Sequence, residues 1–154
     1  ETREHILLVD LEPTTYKIAS RLKKDLVVEG TDEVILADTP VKLMMKLHQL
    51  YSGTIKFESG NSKVIDYSKA NYIHYKFIDK KIGIFYKFKE ELNALNNIDF
   101  SATSYWQSRD RMTTKERLES DVYWVFSKGG IESEIYKAVS KKKDFTVSHF
   151  KKLS

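Results

Sequence analysis

The chain contains no cysteine. That excludes disulfides, thiolate zinc sites and a cysteine nucleophile. It also fits a reducing compartment, so a cytoplasmic location is expected. No window approaches the roughly 18 consecutive apolar residues of a membrane-spanning helix. The first residues, Glu1-Thr-Arg-Glu4, lack the basic-then-apolar character of a secretory signal. Histidine is scarce. His5, His48, His74 and His149 are scattered without metal-ligand spacing. Neither a Gly-x-x-x-x-Gly-Lys-Ser/Thr phosphate loop nor an Asp-Glu magnesium motif occurs.

What remains is a chain of 154 residues, 41% of them hydrophobic, enough for one domain with a real core. The net charge is +4. Its location is informative, because seven lysines face only three acids between Lys128 and Ser154. The last 27 residues therefore carry the whole excess, and clustered lysine is an electrostatic footprint for phosphate backbones.

Local patterns alternate between strands and helices, which predicts an α/β domain. His5–Leu11 reads as a strand. Pro13 opens a helix whose apolar face is Tyr16, Ala19, Leu22 and Leu26, ending by Gly30-Thr31. Thr39-Pro40 pairs a capping hydroxyl with a first-turn proline. The helix that follows carries Val41, Met44, Leu47, His48 and Tyr51 on one side and ends at Gly53. Residues 54–57 and 63–67 flank a polar Glu-Ser-Gly-Asn-Ser turn, the pattern of a hairpin. Ser68 is the expected cap of a helix over 69–77. The runs Ile82–Phe88 and Val122–Ser127 are almost continuously apolar or aromatic, which predicts interior parallel strands covered on both faces. Helices are expected over 89–95, from Ile131 to about Lys141, and over 147–153.

The stretch Tyr105-Trp-Gln-Ser-Arg-Asp-Arg-Met-Thr-Thr-Lys-Glu-Arg117 follows an expected helix start at Ser101. It presents Gln107, Arg109 and Arg111 close together. A guanidinium is always charged and offers a rigid fork of donors suited to phosphate oxygens.

Several of these pieces, in order, resemble the second motor lobe of superfamily 2 helicases and translocases. The likeness is greatest to the Swi/Snf-type branch, especially phage and prophage members. Val9-Asp-Leu-Glu-Pro-Thr-Thr-Tyr16 resembles the segment leaving the first lobe. Leu43 to Gly53 resembles the helix ending in a Cys/Ser-Gly step, and Ser68-Lys69 the Ser-Lys before the lobe's first helix. Lys81–Phe88 resembles the strand called motif IV, Gln107 to Arg111 motif VI, and Gly130-Ile-Glu-Ser-Glu-Ile135 the step after the last strand. The resemblance implies a single RecA-like domain over 1–154, a mostly parallel sheet with helices on both faces. Residues 1–67 would lead into a core at 68–154. It implies an ATP-dependent DNA motor whose ATP site is completed by Arg111, with Gln107 and Arg109 beside it. ATP and Mg2+ would act in the two-lobe parent, with an N-terminal motor lobe and DNA as partners. The chain alone would bind neither cofactor tightly and would not hydrolyse ATP. Lys87 and Lys89, at the end of the motif IV strand, are the expected contacts to backbone phosphates.

Two departures accompany the likeness. The second arginine of motif VI is Thr114 here, with Arg109 and Arg117 as alternative substitutes. No motif V is found, and only Lys89 to Asn97 lies between the motif IV strand and Ile98. A crossover between parallel strands needs a dozen or more residues. A segment is therefore expected to be missing near Leu95–Ile98.

Two rival classes stand beside the motor lobe. A non-catalytic basic nucleic-acid-binding domain would use the lysine-rich end and stack bases on Tyr86, Phe88, Tyr105 and Trp106. A stand-alone hydrolase has poor candidates, since Glu90-Glu91 and Asp32-Glu33 read as solvated charges.

Overall fold

The computed structural model describes residues 2–98, 104–108 and 120–140. The chain is a mixed α/β protein. In order the elements are β1 (Thr2–Val9), α1 (Pro13–Asp25), β2 (Val27–Glu29), β3 (Val34–Leu36), α2 (Pro40–Tyr51), β4 (Thr54–Lys56) and β5 (Ser62–Val64). They continue with α3 (Ser68–Lys76), β6 (Lys81–Phe85), α4 (Lys89–Asn96), β7 (Ser104–Ser108), β8 (Ser120–Ser127) and α5 (Glu132–Ser140).

Among the described residues the strands form four two-stranded sheets rather than one broad sheet. Two are parallel. β1 runs beside β8, from Thr2 opposite Ser120 to Val9 opposite Ser127, and β6 runs beside β7. The other two are antiparallel hairpins, β2–β3 and β4–β5. Ile82–Phe88 and Val122–Ser127 both contribute parallel strands as expected, but among the described residues each lies at a sheet edge rather than in the interior. β6 stops at Phe85 and alternates between exposed and half-buried positions, with Phe85 50% exposed. Among the described residues β8 has one neighbour, and Tyr123 and Trp124 remain partly open to solvent. Phe77 at the end of α3 meets Tyr123, and Tyr136 of α5 meets Trp124 on the opposite face, yet neither ring is fully covered.

Local chemistry explains the helices. Pro13 starts α1, and Thr15, Ala19 and Leu22 turn inward. α1 ends earlier than its apolar spacing suggests, because Leu26 adopts a left-handed conformation (φ 64°) and donates its N–H to the Leu22 carbonyl. Leu26 is consequently exposed instead of extending the apolar face. Thr39 caps α2 as expected, its Oγ1 accepting from Lys42 N at 3.1 Å. Leu47, Leu50 and Tyr51 are buried there, while Val41 faces solvent. The main core joins α1, α2, β3 and β4 through Leu22, Ile35, Leu47, Leu50 and Ile55. Leu22, Leu47 and Leu50 are 0% exposed, and burying each such side chain is worth about 1.5–3 kcal/mol. A smaller cluster of Ala70, Ala94 and Leu95 ties α3 to α4.

One further expectation changes. Ser104–Ser108 is a strand, not part of a helix begun at Ser101. Tyr105 and Trp106 belong to the aromatic residues that favour strands, and backbone pairing to β6 outweighs the capping signal. The connection from β6 to the next parallel strand covers residues 86–103, or 18 residues. Among the described residues, this connection holds α4. At the end of α4, Asn97 N donates to Asn93 O and Ile98 N to Leu95 O.

Candidate functional site

The carboxyl ends of parallel strands are where α/β proteins most often bind ligands. At that end of β1 and β8, Lys128 N donates to the Val9 carbonyl at 2.8 Å, and the chain leaves both strands into polar turns. Two carboxylates organise what lies there.

The first is Asp66, just before α3. It accepts hydrogen bonds from Glu12 N at 2.8 Å and Thr15 Oγ1 at 2.6 Å through one oxygen, and from Ser68 N at 2.8 Å through the other. Asp66 therefore fastens the first turn of α1 to the first turn of α3. It, rather than Ser68, satisfies the start of α3, and Ser68 is already the first helical residue. Burial alone would raise the Asp66 pKa, but hydrogen bonds from Ser68, Thr15 and Glu12 outweigh it and hold the carboxyl below its usual range. Gly53 is required beside it. A Cβ at Gly53 would lie 2.4 Å from the Asp66 carbonyl oxygen, and its φ of +81° disfavours other residues.

The second is Glu132, the first residue of α5. Its carboxylate accepts from Ser127 Oγ at 2.6 Å and Ser127 N at 3.3 Å. The Lys69 ammonium pairs with its other oxygen, and the two side chains are only 14% and 7% exposed. Gly130 leaves room for this arrangement, since a Cβ there would sit 2.2 Å from Ser127 Oγ and 2.5 Å from Glu132 Oε1. Tyr51 packs against Gly130, and burial together with nearby Glu132 pushes its phenol up. Tyr16 completes the join, donating from its hydroxyl to the Lys128 carbonyl at 2.6 Å.

A third carboxylate lies at the start of α4. Glu91 accepts from Lys87 N at 2.9 Å and Phe88 N at 2.8 Å, and burial raises its pKa. His48 meets the edge of Phe88 with ring centroids 5.2 Å apart. Burial, reinforced by Lys87 and Lys69, lowers the His48 pKa to about 4, so it is neutral at pH 7. It is a packing residue, as its place on α2 suggests. Asp66, Glu132 and Glu91 are thus all engaged as acceptors, and the cluster is a rigid polar scaffold rather than a free acid–base pair.

Lys87 and Lys89 are both exposed, flanking Phe88 between β6 and α4. The Lys87 ammonium lies 5.8 Å from the Phe88 ring centroid. Gln107 sits on β7, opposite Ile84 of β6. Arg109, Arg111, Thr114 and Arg117 lie outside the described residues, as does the expected helix over 147–153. The fastening roles of Asp66, Thr15, Lys69 and Glu132 are not readable from local spacing. Lys69 and Glu132 stand 63 positions apart, and no periodicity links them.

Among the described residues, no group of three or more His, Asp or Glu side chains is arranged to hold a metal ion. No described helix is long and apolar enough to cross a membrane. The chain matches no protein-family model, no curated protein and no solved structure.

Proposed function

We propose that the chain is the second, RecA-like motor lobe of a superfamily 2 DNA helicase or translocase of the Swi/Snf-like type. One observation carries the reading. Four segments that resemble motifs of such lobes, spread from Val9 to Ile135, meet at one end of the β1–β8 pair. Glu12 and Thr15 from the first bind Asp66, and Gly53 at the end of the second packs on the same residue. Lys69 from the third pairs with Glu132 from the fourth. Sequence likeness alone does not require these segments to touch.

In this reading Arg111 faces the nucleotide across the cleft to the first lobe, with Gln107 and Arg109 beside it. An arginine fixed beside a transferring phosphoryl group is worth roughly 10³–10⁵ in rate. The first lobe supplies the phosphate cradle and the Mg2+ ligands. Lys87 and Lys89 contact the DNA backbone without reading its sequence. The test is Arg111→Ala in the two-lobe parent. ATP turnover should fall about 10³-fold or more while ATP affinity changes only a few-fold. Unchanged turnover would remove Arg111 from the site. The rival reading, a dedicated binding module, requires this chain alone to hold DNA as tightly as the parent does. A motor lobe needs its partner to complete the track.

A further inference from the structure

The solvent face of α1 carries Lys17, Arg21 and Lys24 at i, i+4 and i+7, a stripe along one side of the helix. At 1.5 Å per residue the stripe is about 10 Å long. All three residues are exposed, and Lys23 lies beside them, also exposed. Among the described residues none of these cations forms an ion pair. Even Asp25, four residues after Arg21, makes none with it. The Tyr16 hydroxyl holds the Lys128 carbonyl, which sets a fourth exposed lysine next to the first turn of the same helix.

We propose that this stripe is a docking surface for the phosphodiester backbone of nucleic acid. Charge complementarity selects the partner. A row of unpaired cations offers nothing to a neutral or apolar surface, and each contact to a backbone phosphate releases a condensed counterion. A membrane is the less suitable polyanion, because a surface-bound helix presents its apolar side to lipid. In α1 that side is spent on the core, where Thr15, Ala19 and Leu22 are buried and Tyr16 and Ile18 pack against it. The stripe shares its partner class with the motor-lobe reading but rests on α1, a different part of the chain from Lys87 and Lys89 at the start of α4.

The experiment is fluorescence anisotropy with a labelled duplex of about 20 base pairs, enough to span two helical turns, titrated with the 154-residue chain over a series of salt concentrations. Replacing Lys17, Arg21 and Lys24 together by Gln should weaken binding more than about tenfold at low salt. It should also flatten the slope of log affinity against log salt by about 2 to 3, at about 0.9 per lost contact. Each single variant, Lys17→Gln, Arg21→Gln or Lys24→Gln, should flatten it by about 0.9, which keeps the test valid if the triple variant fails to fold. An unchanged slope in the stripe variants overturns the proposal. So does an equal loss in a Lys76→Gln, Lys80→Gln control, which would mean diffuse charge. Absence of duplex binding by the unaltered chain overturns it as well, as does a stripe that is needed for phosphatidylserine vesicles but not for DNA. A Lys87→Gln, Lys89→Gln variant separates the two ideas. If it alone loses binding, the stripe fails while the motor-lobe contacts stand; if the stripe variants alone lose binding, the reverse holds.

Discussion

Replacing Lys69 by methionine is expected to be among the most damaging single changes to a charged residue in this chain. The Lys69 and Glu132 side chains are 14% and 7% exposed, so water cannot take over from the missing ammonium. Removing one partner of a buried ion pair costs about 3–5 kcal/mol, because the other charge is left uncompensated. Glu132 keeps the Ser127 hydrogen bonds, which favours the lower half of that range. For a chain of this size, about 3 kcal/mol corresponds to a fall in Tm of roughly 6–12 °C. Urea unfolding followed by circular dichroism measures the loss directly. The companion variant, Lys69→Met with Glu132→Gln, removes both charges. It should recover a large part of the loss, since replacing a whole buried pair is often close to neutral. A loss below about 1 kcal/mol for Lys69→Met would show that the pair is effectively solvated. A double variant no better than the single one would show that the introduced methionine fails by packing rather than by charge. Either result refutes the electrostatic account.

Gly53→Ala should destabilise by more than about 2 kcal/mol, because the added methyl meets the Asp66 carbonyl oxygen at 2.4 Å in a left-handed backbone; near-native urea stability would contradict that geometry. Leu50→Ala should cost about 2–5 kcal/mol by leaving a cavity between α2 and its neighbours, checked by the same titration. His48 has a folded pKa of about 4 against an ordinary 6.5, so the unfolded state takes up its proton first on acidification. Its contribution is therefore intact above about pH 6.5 and is lost as pH falls toward about 4, by up to about 3 kcal/mol. A His48→Leu variant should show a flatter stability profile across that window, and an unaltered profile would assign the pH dependence elsewhere.

The parts of the fold legible in the sequence are those set by neighbours in the chain. α2 has its cap, its proline and its terminating glycine within 15 residues, from Thr39 to Gly53, and each signal acts locally. The β4–β5 hairpin is equally local, with Gly60 at φ +97° in its turn. The β2–β3 hairpin is local too, yet its signal is faint. Val27-Val28 and Val34-Ile35-Leu36 flank Gly30-Thr31-Asp32, but each strand is too short to show alternation. β7 is a conflict between local cues, in which Ser101 offers a cap while Tyr105 and Trp106 prefer a strand. The degree of burial of β6 and β8 is illegible for another reason. An apolar run states what a strand tolerates, whereas coverage depends on how many neighbours the rest of the chain supplies.

The polar cluster is illegible because its bonds join distant positions, yet its chemistry bears on the proposed role. Asp66 is occupied by donors from α1 and α3, Glu132 by Lys69 and Ser127, and Glu91 by the backbone at the start of α4. The bonds to Asp66 hold its carboxyl below the usual range, which makes it a weak general base. Activating water would first require breaking bonds that hold two helices in place. His48 is packed on Phe88 and neutral. The cluster therefore suits fixing geometry at the strand ends rather than transferring protons. Under the proposed motor-lobe role, phosphoryl transfer would be assisted through side chains that need no proton exchange. Arginine is such a side chain, since it remains charged whatever surrounds it. That division of labour makes the proposed arginine role chemically coherent and disfavours a self-contained hydrolase built on these acids.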